Sequence, residues 1–244
     1  MGTNRSGACL ENVAGPVKPP PERLYGRSRG HRLRARQQLL LAVTLPRLAM
    51  LPSHTDDPFA AFPEPPRALW LEVGCGSGEH ALALIARNPE AGVIACEPFE
   101  NGLCSLLSRL VPEGHEADAP VPVNLLLWPA DARVLLRLLP EECLDKLFLL
   151  FPDPWPKARH AKRRFVHPAL LPVLARVLRP GAEWRIATDD PTYQSWVEMV
   201  MADQDAFSVV SRATDRPAVW PTTRYEVKAL REERQPRYWT LLRR

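Results

Sequence analysis

Residues 68–84 read ALWLEVGCGSGEHALAL, and three kinds of local pattern follow one another in that stretch. Ala68 to Val73 is a short apolar run of strand length. Gly74, Gly76 and Gly78 then break it, and from Glu79 onward leucine and alanine recur at helical spacing. Strand, glycine turn and helix in that order form the opening unit of a doubly wound sheet, where glycine lets the chain turn sharply and lets a ligand approach the helix N-terminus. Downstream, GVIACE (92–97), VNLLLW (123–128), KLFLLF (146–151) and EWRIAT (183–188) repeat the short apolar run, with helical segments such as EHALALIARN and PALLPVLARVL between them. Continuous apolar strands are what a parallel sheet covered on both faces requires. The alternation predicts an α/β fold with a doubly wound, mostly parallel, Rossmann-like sheet of about seven strands. RYWTLLR (237–243) reads as an antiparallel C-terminal edge strand.

Upstream of this unit the composition changes. Residues 1–22 are proline-rich and aperiodic, which predicts disorder. Residues 23–66 form a basic extension with one helix over Gln37–Met50 and a proline-rich linker, HTDDPFAAFPEPP, leaving 67–244 as the main domain. No run of eighteen apolar residues is present to span a membrane, and the N-terminus shows no secretory pattern, so a cytoplasmic protein is expected. Gly2 and Ser6 fit a loose myristoylation pattern that matches often by chance. Five cysteines without CxxC spacing suit free thiols rather than disulfides or zinc, and the six scattered histidines give no support to a metal site.

The formal charge of +4 is unevenly distributed. Arg23–Arg36 carries +6, Pro152–Arg164 carries +4 and Arg224–Arg244 carries +4, so the remainder of the chain carries −10. Segregation of this kind marks a surface for a polyanion. Solvated basic tails are the alternative for the two terminal segments; the middle cluster resists that explanation.

Acids surround the glycine loop. A dinucleotide fingerprint would require glycine at position 79, which is glutamate, and carboxylates beside a diphosphate would repel it. A nucleotide-type cofactor bearing a positive sulfonium, S-adenosylmethionine, instead favours acids there. Glu72 precedes the loop, Glu97 ends the second strand where a carboxylate can accept ribose hydroxyls, and Asp131 follows the third where it can face an adenine. Helix capping is the competing role for Glu72 and Asp131.

The fourth strand delivers FPDPWPKARHAKRR (151–164). Prolines at 152, 154 and 156 stiffen Asp153 and Trp155 between them. Trp155 in such a cage can stack on a base, with a buried core plug as the alternative role. Asp153 can orient that base through its N–H groups.

PDPWPKARHAKRR, with the glycine loop before it and ATDD (187–190) and TTRYE (222–226) after it, closely resembles the tRNA guanine-N7 methyltransferases of the bacterial TrmB family, from about Leu24 to the C-terminus. The resemblance implies a class I methyltransferase fold and methyl transfer from S-adenosylmethionine to N7 of guanine 46 in the tRNA variable loop. It implies a catalytic Asp153 that also meets the cofactor, and cofactor contacts at Glu72, Gly74, Gly76, Gly78, Glu97 and Asp131. Substrate contacts fall on Lys157, Asp189, Thr223, Arg224, Tyr225 and Glu226, with Arg159, His160, Lys162, Arg163 and Arg164 against the RNA. After Glu226 the chain departs from the family, reading VKALREERQPRYW. A same-fold methyltransferase for another RNA and a noncatalytic RNA-binding module are the rival readings.

Overall fold

The computed structural model describes residues 28–244; the segment 1–22, the Gly2–Ser6 pattern and the first arginines of the basic extension lie outside the described residues. Seven strands form one sheet: β1 (Ala68–Val73), β2 (Ala91–Cys96), β3 (Leu125–Trp128), β4 (Leu144–Leu150), β5 (Leu178–Thr188), β6 (Phe207–Ala213) and β7 (Arg237–Arg243). Their order across the sheet is β3-β2-β1-β4-β5-β7-β6. The chain reverses its direction of travel between β1 and β4, which pair in parallel from Trp70↔Lys146 to Val73↔Leu149. A crevice beyond the carboxyl ends of strands opens at such a switch point.

Alternation along the central strands separates two cores. Leu69, Leu71, Leu147 and Leu149 face one side, where they meet residues of α4 (Ala132–Leu138), α5 (Leu171–Val177) and α6 (Pro191–Ala202). Trp70 and Phe148 face the other, with α2 (Glu79–Arg87) and α3 (Glu100–Leu110). Each strand is therefore buried on both sides, as its unbroken apolar sequence requires.

The C-terminal strand runs antiparallel to β5, as its sequence predicts, over Glu183↔Leu242 to Thr188↔Arg237. β6 pairs along its outer side, so the rim of the sheet is an antiparallel β6–β7 ribbon and the outermost strand is one that the apolar-run pattern does not reveal. FSVVSRA mixes serine and arginine into its run because one side of a rim strand meets water.

The extension differs from a single helix over Gln37–Met50. It is α-helical only in α1 (Ala35–Leu39), continues as a wider π turn through Leu40–Thr44 and tightens to a 3₁₀ turn at Leu45–Arg47. Pro46 lacks the N–H that would extend the ladder. Beyond it, Leu127 donates to the Leu48 carbonyl at 2.8 Å, and Met50 donates to the Leu127 carbonyl at 2.9 Å. The extension thus covers the open edge of β3. Among the described residues no helix is long and apolar enough to cross a membrane, and no group of three potential metal ligands occurs.

Candidate functional site

A cleft of about 710 Å³ opens at the β1–β4 switch point, lined among others by Gly74, Gly76, Glu97, Asp131, Asp153, Trp155, Arg163, Arg224 and Tyr225. Residues from four strand ends and from the distant α7 (Arg224–Arg231) therefore meet in one place. Glu97 is 8% exposed and holds the loop: its Oε2 accepts from Gly76 N–H at 2.7 Å and its Oε1 from Phe99 N–H at 2.9 Å. Burial raises its pKa above the ordinary 4.5; the two backbone N–H groups oppose that shift, and the charges of Glu72 and Asp153 add to it. Each carboxylate oxygen retains a lone pair for a ligand hydroxyl.

Two residues expected at the cofactor do not reach the cleft lining. Gly78 lies behind it with φ +77°, and a Cβ there would come within 2.4 Å of Leu106 Cγ, so its role is close packing of the loop on α3. Glu72 is buried beneath the loop, its Oε2 3.2 Å from His80 Nδ1, because its strand position points into the α2 side of the sheet. Asp131 does line the cleft but also N-caps α4, accepting from Arg133 N–H at 2.9 Å, and both carboxylate oxygens pair with the Arg133 guanidinium, Oδ2 at 2.6 Å. The capping role and the cleft position coexist.

Asp153 stands exposed at the mouth of the cleft on a loop with unusual backbone. Phe151 and Trp155 both adopt positive φ, +52° and +44°, and each precedes a proline. Bulky residues in that region cost on the order of 1–3 kcal/mol each and persist only where surroundings impose them. Phe151 N–H donates to the Ala187 carbonyl at 2.7 Å, tying one end to β5. Trp155 is not a core plug: it is half-buried beside the cleft, with the Arg163 guanidinium 4.7 Å from its ring and His160 meeting it edge-on at 5.8 Å.

The basic run divides. Lys157 and Arg159 are exposed, His160, Lys162 and Arg163 half-buried. Arg164, expected against RNA, is 4% exposed and points inward; its Nε donates to the Pro154 carbonyl at 3.1 Å and a terminal nitrogen to the Trp155 carbonyl at 3.0 Å. The 3₁₀ turn over Ala158–Arg163 ends at this residue and turns its side chain under the loop. His167 is also internal, accepting from Ala169 N–H.

The TRYE stretch divides likewise. Arg224 and Tyr225 are exposed and reach the cleft, joined by a 3.0 Å hydrogen bond from the guanidinium to the phenol oxygen. Thr223 caps α7 instead of facing a substrate, accepting from Glu226 N–H. Glu226 is buried, taking a 3.0 Å ion pair from Arg216 and a 2.9 Å hydrogen bond from the Tyr238 hydroxyl, so it anchors the helix that carries Tyr225. Asp189 pairs at 2.5 Å with Arg234, a residue of the divergent segment after TRYE. Arg133, Arg216 and Arg234 escaped the sequence reading because each acts through a partner distant in sequence or masked as an ordinary helix residue; only Arg133, two positions after Asp131, offered a local signal.

The chemistry of this donor set fits S-adenosylmethionine. Around the glycine loop the cleft offers backbone groups and the carboxylates of Glu97 and Asp153, which suit a cationic ligand with ribose hydroxyls, and Arg133 is already neutralised by Asp131.

A family model described as a putative methyltransferase matches residues 66–238. The chain is 59% identical over 232 residues to the tRNA (guanine-N(7)-)-methyltransferase of Granulibacter bethesdensis, spanning 93% of this chain and 98% of that one. It is 43% identical over 239 residues to the protein of the same name from Rhodospirillum rubrum, spanning 94% and 91%. Among solved structures, the 16S rRNA methyltransferase KamB shares the fold, with a TM-score of 0.52 at 18% identity over 73% of this chain and 89% of that one.

Proposed function

Because the chain belongs to the family of tRNA (guanine-N(7)-)-methyltransferases, we propose that it methylates N7 of a guanine in tRNA, at position 46 of the variable loop. S-adenosylmethionine, when bound, supplies an electrophilic methyl group on a sulfonium. The residues that would hold it are the backbone of Gly74 and Gly76, Glu97, and Asp131 at the rim, with Asp153 towards the reacting end. Guanine N7 has a lone pair and no proton, so no general base is required. What the protein must supply is alignment and a negative potential beside a ring that becomes cationic.

Asp153 is the carboxylate in position to supply it, since the Arg234 ion pair already compensates Asp189. Trp155 offers a stacking face for the base, and Lys157, Arg159 and Lys162 offer charge for the adjoining phosphates. The working unit is residues 67–244, preceded by an extension over 23–66, and it acts on tRNA in the cytoplasm.

The observation that carries this reading is the meeting of Glu97, Asp153 and Trp155 in one cleft at the switch point, beside exposed basic side chains. Nucleoside analysis of two tRNA transcripts, with guanine or adenine at position 46, tests it. 7-Methylguanosine should form in the first only; a methyl group on another nucleoside, or equal product from both transcripts, overturns the assignment.

A further inference from the structure

We propose that Arg164 is a positioning residue for methyl transfer: it holds the PDPW loop in its strained form and so sets Asp153 and Trp155 at the cleft mouth, without touching the RNA. The inference rests on Asp153 being the carboxylate that acts on the base, as proposed above.

The loop has two residues in left-handed backbone, Phe151 and Trp155, one on each side of Asp153. A chain released from its surroundings would leave that conformation, so something must hold both ends. The Phe151 end is held by the sheet through Ala187. At the other end the guanidinium of Arg164 spans the consecutive carbonyls of Pro154 and Trp155, at 3.1 and 3.0 Å. A planar fork with fixed N–H directions suits two adjacent acceptors, and an ammonium does not reproduce it.

The clamp is itself anchored. The Arg164 guanidinium lies 4.6 Å over the ring of Trp196 on α6, and the Trp196 indole N–H donates to the Val166 carbonyl at 2.5 Å. Val166 N–H in turn meets the buried Tyr193 hydroxyl at 3.2 Å, also on α6. The loop is thereby referred to the helix layer under the sheet. Burial lowers the Arg164 pKa from its ordinary value, and at 4% exposure its side chain offers no face to a phosphate.

The test compares Arg164→Lys and Arg164→Gln with Arg159→Ala, using intact tRNA and S-adenosylmethionine. With Arg164→Lys, kcat at saturation should fall roughly 10- to 100-fold, the scale of a misplaced catalytic group. Arg164→Gln, which removes the charge, should leave the tRNA Kd within about threefold and the log Kd–log salt slope unchanged, whereas Arg159→Ala should lower that slope by about one phosphate contact. Wild-type kcat in Arg164→Lys, or weaker tRNA binding with a reduced slope in Arg164→Gln, overturns the proposal.

If the variant does not fold, wild-type protein decides through NMR exchange of the Arg164 Nε–H. Protection in the free enzyme that persists unchanged with tRNA supports the clamp; rapid exchange, or a large shift on adding tRNA, refutes it. Asp153→Asn is assayed in parallel. Near-normal turnover in that variant removes the reading of Asp153 and with it the role given to the clamp, while the salt slope of Arg164→Gln still reports separately whether Arg164 meets RNA.

Discussion

The two walls of the cleft hold their carboxylates differently. On the β2 side Glu97 is buried and fixed by two backbone N–H groups from the glycine loop and the start of α3. On the β4 side Asp153 is exposed, and precision comes from the backbone beneath it: three prolines, two left-handed residues and a buried guanidinium. A small cofactor can be enclosed by a preformed pocket. A folded polynucleotide cannot, so on the proposed reading of Asp153 the group that would meet it projects into solvent and is stiffened from behind. The comparison teaches that burial and backbone strain are alternative ways of holding a charge still.

Five measurements test whether the walls differ in this way, the largest expected effect first. If about six phosphate contacts come from the exposed basic residues, tRNA affinity should fall by roughly three orders of magnitude between 50 and 200 mM salt, while cofactor affinity should hardly change. Equal salt dependence for both ligands would erase the distinction between the walls.

Asp153→Asn should lower kcat by about 10²–10³ with cofactor affinity within a few fold, as expected for removing one electrostatic stabiliser of a developing charge. Calorimetry and single-turnover rates separate the two quantities. Glu97→Gln should do the reverse, weakening cofactor binding by about 10- to 100-fold, the scale of one charged hydrogen-bonding group.

Glu97 also predicts a pH effect on stability. Its folded-state pKa lies above the ordinary 4.5, so its contribution to stability is present below 4.5 and is lost as pH rises through the raised value. Melting curves of wild type and Glu97→Gln across that range should therefore converge towards acid and separate above it, the variant lacking the wild-type decline. The smallest effect belongs to the exposed Arg159→Ala, about a tenfold loss in tRNA affinity or less, with kcat at saturation unchanged.

Much of this architecture was legible in the chain. Five of the six parallel-running strands and the antiparallel C-terminal strand announce themselves, because burial on both faces leaves little room for polar residues. The glycine loop and the PDPW motif were legible because glycines and prolines mark a constrained backbone in the sequence, and Glu97 because it ends the second apolar run. β6 was not, since half of its surface faces water. Nor was the placement of Glu72, Arg164, Asp189 and Glu226, each read as a ligand contact and each engaged by protein groups: His80, two loop carbonyls, Arg234, and Arg216 with Tyr238.

Periodicity and local backbone constraints suffice to specify a doubly wound sheet, a loop suited to a cationic nucleotide-type ligand and a stiff acidic–aromatic loop followed by positive charge. Which charges face the cleft and which brace it depends on long-range packing. A side chain's direction at the end of a 3₁₀ turn or helix depends on what packs against it, and the partners that turn Arg164 and Glu226 inward come from elsewhere along the chain.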